Sequence, residues 1–243
     1  MSLYWLFLFC TIAYFIGNIN FARILARFQK SDITKQGSGN PGTMNVIRQF
    51  GFKVGILCLV LDVLKGALPA MIAFFAYGGA ITISANTNTV NSYIALYAVG
   101  LAVIVGHCFP VLLKFRGGKG VASMLGVFMV AHPWVSLAAF AIMLVYILVF
   151  EYGAMGSFIY ITFMVSYAAL QPFNTYNIAV HVLLFVLYFL SWYTHRHNIA
   201  RLLVGKENSV TILKSLQRKL LEKRQQKWLR ALRGSDDVDN AKE

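Results

Sequence analysis

Long apolar stretches separated by short basic segments make up most of this chain. Residues 1–22 carry no charge, and two further apolar stretches run from residue 54 to about 77 and from about 93 to 113. An α-helix needs about 20 residues to cross the hydrocarbon core of a bilayer, and it pairs its own backbone amides where lipid offers no partner. Each stretch is therefore predicted to be one membrane-spanning helix, and the first lacks the basic start of a cleavable signal peptide.

Two later apolar stretches are too long for one crossing each. His132 and Pro133 interrupt residues 119–151, and Pro172 interrupts residues 155–193. Because proline cannot continue a helix, each stretch is predicted to form two helices. The prediction is then seven crossings, of which the fourth and sixth look short.

The basic residues indicate the orientation of these crossings. Most lysines and arginines fall in three blocks, residues 23–53, 114–119 and 196–233. Short loops rich in these residues stay in the cytoplasm. The N-terminus, residues 78–92 and both proline breaks contain neither residue. The pattern predicts an all-α integral membrane protein with seven transmembrane helices, the N-terminus outside and the C-terminus cytoplasmic.

Composition supports a membrane protein and argues against several other classes. Of 243 residues, 58% are hydrophobic and only 13% are charged, which is too few for a water-soluble surface. Lysine and arginine outnumber the acids by 22 to 9, but their position beside the spans argues against nucleic acid as a partner. Cys10, Cys58 and Cys108 lie in apolar segments without paired spacing, so we expect neither a disulfide framework nor a metal site.

The composition changes after the last apolar stretch. We expect residues 1–205 to form the membrane domain and residues 206–243 to form a cytoplasmic tail. Residues 209–233 interleave basic and apolar side chains, which is typical of an amphipathic helix on anionic lipid, and a solvated helix is the alternative. The tail ends in an acidic segment, residues 236–243, that is predicted to be disordered.

Four unusual segments fall on the predicted cytoplasmic side. The first reads Gly-Ser-Gly-Asn-Pro-Gly-Thr-Met-Asn-Val-Ile-Arg over residues 37–48. Asn40 is a favourable N-cap and Pro41 suits the first position of a helix, so a helix start here would offer free amides to an anion. Arg48 can add a bidentate grip on phosphate. An interfacial turn between spans is the alternative interpretation.

The second segment places a lysine between glycines. Residues 114–120 read Lys-Phe-Arg-Gly-Gly-Lys-Gly, which is not a Walker A loop because Gly120 stands where Ser or Thr is required. Lys119 is nevertheless suited to bind phosphate, because glycines surround it at the start of a helix. Basic side chains that reach to the membrane surface are the alternative.

The two remaining segments are shorter and less specific. Ser157 follows Gly153 and Gly156, and a helix cap is its more ordinary role. His195 and Asn198 stand three residues apart at the cytoplasmic end of the last span, so they share one face of a helix. A solvated helix end is the alternative for that pair.

Asp62 and Lys65 are the clearly intramembrane charges of this sequence. Their i, i+3 spacing lets them face each other on a helix, which offsets part of the cost of holding each ion in hydrocarbon. The pair is predicted either to brace the site or to lock two helices together.

Together these segments resemble the acyl-phosphate-dependent glycerol-3-phosphate acyltransferases of bacteria, the PlsY family. The matching residues follow the family's order from residue 37 to about 205, and their combination is highly specific. They are Gly37-Ser38-Gly39-Asn40-Pro41-Gly42-Thr43 with Asn45 and Arg48, Asp62 with Lys65-Gly66, Gly106-His107 to Pro110, Gly117-Gly118-Lys119-Gly120-Val121-Ala122, and His195-Arg196 with Asn198-Ile199 and Arg201-Leu202.

The resemblance implies an enzyme of the bacterial inner membrane that transfers an acyl group from acyl phosphate to glycerol 3-phosphate and forms lysophosphatidic acid. It implies a cytoplasmic active site, surrounding membrane lipids, and a soluble enzyme that supplies acyl phosphate. The residues implied to hold the two phosphorylated substrates are Ser38, Arg48, Lys119, Ser157, His195 and Asn198. Further candidate phosphate ligands are Gly39, Asn40, Thr43, Asn45 and Gly118.

Two departures from the family pattern affect this transfer of roles. Ala154 and Met155 stand where family members usually carry more serine-like residues, so Ser157 is the weakest match. The tail after residue 208 is longer than usual and inherits no role.

The implied chemistry needs no cofactor. An acyl phosphate is a mixed anhydride with a good leaving group, so positioning and charge stabilisation can suffice without a metal or a covalent nucleophile. Arg48 and Lys119 would neutralise the phosphates and the charge that develops on the carbonyl. His195, held with Asn198 near the glycerol hydroxyl, or a phosphate oxygen of a substrate would take the proton.

Three other classes match the sequence less well. Acyl-CoA-type glycerolipid acyltransferases need a histidine followed five residues later by aspartate, a pair that this sequence lacks. A CDP-alcohol phosphotransferase needs several aspartates around a divalent metal, whereas Asp62 is the only one in the spans. An anion transporter is the best non-enzymatic alternative, but transporters bind near the midplane and most candidate ligands here lie at one face.

Overall fold

The computed structural model describes residues 3–79, 87–172 and 176–207, together with positions 221 and 225. Throughout these described residues every regular element is helical, which confirms the all-α class. The helices are α1 Leu3–Asn18, α2 Phe21–Phe28, α3 Thr43–Phe50, α4 Phe52–Ala76, α5 Thr87–Cys108, α6 Val121–Ala131, α7 Pro133–Phe150, α8 Gly153–Ala169 and α9 Ile178–Leu203, with 3₁₀ turns at Ile33–Lys35 and Val111–Leu113. Except for its first two residues and the two isolated positions, the predicted tail lies outside the described residues.

Length and composition identify the helices that can cross a membrane. Helices α6 and α8 are apolar but have only 11 and 17 residues. At about 1.5 Å per residue, α6 reaches about half of the ~30 Å hydrocarbon core. These two are the fourth and sixth of the predicted crossings, so the count of seven and the orientation stay predictions. Five segments are long enough, namely Leu3–Phe28, Phe52–Ala76, Ser92–Leu113, Pro133–Phe150 and Ile178–Leu203.

The first predicted span is confirmed as one candidate crossing, Leu3–Phe28, but a two-residue break divides it into two helices. Helix α1 ends at Asn18, and Asn20 caps α2 by accepting a hydrogen bond of 2.9 Å from the Arg23 amide. In the break, the carbonyl of Ile19 accepts a hydrogen bond of 2.8 Å from Nζ of Lys65. The interruption thus gives a buried cation a backbone acceptor, which hydropathy alone does not reveal.

The helix predicted to start at Asn40 begins later in the structure. Helix α3 starts at Thr43, and its N-cap is Gly42, which makes no side-chain capping bond. Asn40 and Pro41 belong to the preceding loop, where the Pro41 carbonyl accepts a hydrogen bond of 3.3 Å from Nδ2 of Asn20. The predicted cap is wrong because the backbone stays extended through Gly42, with φ −147° and ψ 168°.

The other predicted boundaries agree more closely. Helix α6 ends at Ala131 and α7 begins at Pro133, so the predicted break at His132 is confirmed. The loop predicted over residues 78–92 is too long, because α5 already begins at Thr87. The start of α5 reads Thr-Asn-Thr-Val-Asn-Ser, and a polar helical turn of this kind carries no hydropathy signal.

Helices α4 and α6 approach each other closely near the middle of the bundle. A Cβ atom at Gly66 would meet the carbonyl oxygen of Ser123, and one at Gly126 would meet that of Val63. Small residues at such crossings let membrane helices pack backbone against backbone. The main core beside this crossing includes the buried side chains of Leu96, Tyr97, Ile104, Met124 and Phe128.

The outer surface of the helices is apolar. Phe7 is 76% exposed and Phe185 is 68% exposed, on helices α1 and α9. In water such side chains would favour aggregation, whereas lipid is their natural solvent. The bundle therefore has the surface of an integral membrane protein.

Candidate active site

One cavity of about 780 Å³ gathers most of the residues singled out from the sequence. It lies between the loops that precede α3 and α6 and the helices α4, α7, α8 and α9. Two predicted residues, Lys65 and Gly118, are not part of its lining. The predicted residues that do line it are Ser38, Gly39, Asn40, Thr43, Asn45, Arg48, Asp62, Lys119, Ser157, His195 and Asn198.

Two cations lie at the polar end of this cavity. Arg48 extends from the last turn of α3, and Lys119 comes from the loop that leads into α6. Burial lowers the pKa of Lys119 to about 8, although the charge of Glu207 opposes that shift. Burial also lowers the pKa of the Arg48 guanidinium, which arginine's high intrinsic pKa still leaves protonated. Both side chains are therefore desolvated cations, a state that favours an anionic ligand.

The loop before α6 is built to present Lys119. The amide of Gly118 donates a hydrogen bond of 3.1 Å to the carbonyl of His107 at the end of α5. A Cβ atom at Gly118 would meet Nε2 of the His107 ring, so only glycine allows this approach. Gly120, with φ +80°, then turns the chain into α6. Gly118 thus shapes the loop, while the adjacent lysine reaches the cavity.

Asn45 ties together the loop that carries Ser38. Its Nδ2 donates to the carbonyls of Ile33 at 3.2 Å and Gln36 at 2.9 Å, while its Oδ1 accepts from the Ser38 amide at 3.2 Å. The side-chain amide is therefore engaged by its own loop, and Asn45 fixes the position of Ser38 and Gly39 at the cavity wall.

His195 is oriented by a single hydrogen bond. Its Nδ1 lies 2.9 Å from the carbonyl oxygen of Ser191, and because a carbonyl only accepts, Nδ1 carries the proton. The other ring nitrogen, Nε2, is buried and has no hydrogen-bond partner among the described residues. In the neutral imidazole Nε2 is unprotonated, and the ring that carries it lines the cavity. That arrangement suits an acceptor for a hydroxyl proton.

Asn198 and Ser157 are placed differently with respect to the cations. Asn198 lies one turn after His195 on α9, and its Oδ1 accepts a hydrogen bond from Nζ of Lys119. Ser157 lines the cavity, but its hydroxyl donates at 2.8 Å to the carbonyl of Gly153 within α8. Asn198 is therefore in direct contact with a cation of the site, whereas the hydroxyl proton of Ser157 is donated within its own helix.

Two residues of this site have no assigned role in the sequence analysis. Arg201, one turn beyond Asn198, lines the cavity, and so does Glu207, which follows α9. Nε of Arg201 lies 3.0 Å from Oε2 of Glu207. Arg201 stands beside the matched histidine and asparagine, so its helix position could have identified it. Glu207 is an acidic residue in a basic region, and no sequence pattern marks it as a site residue.

A second cluster of charged side chains lies deeper in the bundle. Nζ of Lys65 is 2.8 Å from Oδ1 of Asp62 and 2.8 Å from Nδ1 of His107. The same nitrogen donates a hydrogen bond to the carbonyl of Ile19, so a carboxylate, a ring nitrogen and a carbonyl surround the ammonium. Asp62 and His107 reach the cavity wall, whereas Lys65 does not. This cluster joins the break after α1 to α4 and α5.

The rest of the cavity is apolar. Side chains of α4 and α7 form most of this part, including Ile56, Leu59, Met143, Ile147 and Leu148. The described residues contain no group of three or more His, Cys, Asp or Glu side chains placed to hold a metal ion. The cavity therefore joins a cationic end to an apolar groove.

The sequence of this chain matches a known protein family. A family model described as glycerol-3-phosphate acyltransferase matches residues 7–205. The chain belongs to the glycerol-3-phosphate acyltransferase family. The enzyme of that name from Thermoanaerobacter pseudethanolicus is 38% identical over 200 residues, which are 82% of this chain and 92% of the relative. The one from Aquifex aeolicus is 36% identical over 198 residues, or 81% and 94%.

Solved structures of this acyltransferase family share the fold. The glycerol 3-phosphate form of PlsY (YgiH), an integral membrane glycerol 3-phosphate acyltransferase, superposes with a TM-score of 0.74 at 34% identity. The match covers 87% of this chain and 98% of the other. Its lysophosphatidic acid form gives a TM-score of 0.71. The protein is thus an integral membrane acyltransferase of the PlsY type, which acts in phospholipid biosynthesis.

Proposed function

We propose that this acyltransferase moves an acyl group from acyl phosphate to glycerol 3-phosphate and releases lysophosphatidic acid and inorganic phosphate. Family membership supports glycerol 3-phosphate as the acceptor, because the relatives carry that substrate in their names. A solved PlsY structure in a lysophosphatidic acid form supports the product. The choice of acyl phosphate as donor rests on the cavity itself.

The single observation that carries this proposal is the shape and charge of the cavity lined by Arg48 and Lys119. Its polar end holds Arg48, Lys119 and Arg201, and its apolar part extends along α4 and α7. An acyl phosphate has the same two halves, a phosphate and a hydrocarbon chain. The phosphate would lie against the cations, and the chain would lie in the groove, where burial of apolar surface is favourable.

The reaction has one bond to make and one to break. The glycerol hydroxyl oxygen attacks the carbonyl carbon of the acyl phosphate, and the bond from that carbon to the phosphate oxygen breaks. Phosphate leaves with the electron pair, and the hydroxyl proton goes to a base. Arg48 and Lys119 stabilise the charge that moves onto the leaving phosphate and the carbonyl oxygen, a form of catalysis by fixed charges.

His195 is the base that the geometry favours. Its Nε2 is unprotonated, buried and unpaired among the described residues, and its ring lines the cavity. A phosphate oxygen of a substrate is the alternative acceptor. Asn198, one turn after His195, accepts a hydrogen bond from Lys119, so the proposed base and a cation belong to the same part of the cavity.

The loop before α3 completes the proposed phosphate site. Ser38, Gly39 and Asn40 line the same cavity as Lys119, and so does Thr43, which begins α3. Asn45 holds this loop in shape. Ser157 would contact the substrate from α8 through its oxygen lone pairs.

We place the reaction at the cytoplasmic face of the bacterial inner membrane. The basic residues beside the cavity support this placement by the positive-inside rule, and acyl phosphate would then come from a soluble enzyme. Reporters fused after Arg233 and near Asn86 test the orientation. The first should report cytoplasm and the second the outside, whereas two reporters on one side would contradict the topology.

The donor is tested with purified protein in the presence of EDTA. Lysophosphatidic acid is measured with glycerol 3-phosphate and either acyl phosphate or acyl-CoA of the same chain. We expect turnover with acyl phosphate alone and no effect of EDTA. Efficient use of acyl-CoA, or loss of activity with EDTA, would contradict the proposal.

A further inference from the structure

The chain turns back on itself directly after α9. Gly205 has a φ of +66°, and its amide donates a hydrogen bond of 3.1 Å to the carbonyl of Leu202. The amide of Lys206 then donates at 2.8 Å to the carbonyl of Arg201. This turn returns Glu207 to the cavity, where its side chain is only 3% exposed.

Both carboxylate oxygens of Glu207 are engaged by site residues. Oε1 accepts a hydrogen bond of 2.6 Å from Nδ2 of Asn198, and Oε2 accepts one of 3.0 Å from Nε of Arg201. A buried carboxylate that receives two such bonds is held in one position. Glu207 is therefore a fixed part of the cavity wall.

These contacts determine the orientation of the Asn198 amide. A carboxylate only accepts hydrogen bonds and an ammonium only donates them. The amide between them must therefore turn its NH₂ to Glu207 and its Oδ1 to Lys119, the arrangement that the structure has. A chain of two hydrogen bonds thus runs from Glu207 through Asn198 to Lys119.

Charge gives Glu207 a second effect on the same lysine. Arg48 from α3 and Arg201 from α9 both act to lower the pKa of Lys119, as burial does more strongly, while Glu207 acts to raise it. His195 of α9 also lies within reach of the Lys119 charge. Glu207 is the carboxylate that offsets this crowding of cations.

We propose that Glu207 is a positioning residue for the acyl transfer, which holds the Asn198 amide toward Lys119 and supplies the counter-charge for Arg48, Lys119 and Arg201. The inference rests on the proposed function for its meaning in catalysis. Its physical content, the effect of Glu207 on Lys119, does not depend on which acyl donor the enzyme uses.

Two substitutions separate the two effects. Glu207→Gln keeps an oxygen that can accept from Asn198 but removes the charge. Glu207→Asp keeps the charge but shortens the reach to the Asn198 amide. Lys206→Gln is the matched control, because it changes the charge of the exposed neighbouring residue.

Two measurements are made on monodisperse protein. The first is the pH profile of kcat/KM for acyl phosphate. The second is competitive acetylation of Lys119 by acetic anhydride, followed by mass spectrometry of its peptide from pH 6 to 10. The labelling midpoint reports the protonation of Lys119 and needs no turnover, so it remains informative if the proposed function fails.

In Glu207→Gln we expect the labelling midpoint and the alkaline limb of kcat/KM to move down by about half a pH unit or more. In Glu207→Asp we expect the limb to stay in place while kcat/KM falls about tenfold. Lys206→Gln should match wild type. If wild type has no turnover with acyl phosphate, the proposed function fails. The labelling midpoint alone then decides whether Glu207 affects Lys119.

A labelling midpoint in Glu207→Gln equal to that of wild type would overturn the inference, whatever the activity. A merely structural role would lower the yield of folded protein and leave the midpoint of the folded fraction unchanged. If Glu207→Gln does not accumulate, Glu207→Asp decides: wild-type kcat/KM per folded molecule would contradict the proposal.

Discussion

Two clusters of charged side chains are buried in this bundle, and they differ in how their charges are matched. In the deeper one, Lys65 forms an ion pair with Asp62 and contacts His107 and the Ile19 carbonyl, so protein atoms surround its charge. In the cavity, the single carboxylate of Glu207 forms an ion pair with Arg201 and also acts through its charge on Arg48 and Lys119. The comparison separates ions that hold helices together from ions that line the cavity.

The deeper cluster should respond to substitution through stability. Lys65→Met leaves the Asp62 carboxylate buried without its cation, which costs roughly 3–5 kcal/mol. Thermal unfolding in detergent should therefore start well below that of wild type. The exposed Lys53→Met at the start of the same helix is the control. A Lys65→Met protein as stable as wild type would remove the distinction between the clusters.

The cavity cluster should respond through activity instead. Arg48→Ala and Lys119→Ala each remove a desolvated cation that faces a substrate phosphate, a loss of roughly 2–4 kcal/mol of transition-state stabilisation. Lysophosphatidic acid formation should fall about 30 to 1000-fold with little change in thermal stability. Arg116→Ala, exposed in the same loop as Lys119, should retain activity. Near-normal turnover in both cavity variants would contradict the assignment.

Substitutions of His195 test whether the cavity also supplies the base for the reaction. If Nε2 takes the hydroxyl proton, His195→Ala should lower kcat by about 100-fold or more, the usual range for a general base. His195→Gln supplies an acceptor without basicity and should not restore the rate. A loss below tenfold in both variants would favour proton transfer to a substrate phosphate.

Hydropathy and proline predicted much of the fold but not the break in the first span. The paired helices about His132 follow from apolar length and proline, whereas Asn18 and Asn20 break the first span inside an apolar context. That break depends on Lys65, which is distant in sequence. A pattern of local residues contains no information about such a contact.

The candidate site shows the same limit. Arg48 and Lys119 could be identified from the sequence, because glycines and a cation in one segment indicate phosphate binding. The predicted helix N-cap at Asn40 was wrong. Asn20, the N-cap of α2, donates a hydrogen bond to the Pro41 carbonyl and so holds Pro41 in the loop. Glu207 could not be identified, because its role arises from a turn that returns it to Asn198.

The protonation of Lys119 gives the smallest effect. With a pKa near 8, Lys119 is a cation at neutral pH and becomes neutral as the pH rises through that value. In the free enzyme kcat/KM should therefore fall above about pH 8, by up to tenfold per unit. The profile of Lys119→Arg should stay flat in this range if the variant is active. A wild-type profile that is flat to pH 10 would contradict a required Lys119 whose pKa lies near 8.

The binding of glycerol 3-phosphate itself tests the central claim most directly. Radiolabelled glycerol 3-phosphate is bound to purified wild type, Lys119→Ala and the exposed control Arg116→Ala, without an acyl donor. Loss of a charge-assisted contact to phosphate, about 1.5–3 kcal/mol, predicts at least tenfold weaker binding by Lys119→Ala and wild-type affinity for the control. Equal affinity in all three proteins would contradict the claim that the cavity's cations hold the phosphate.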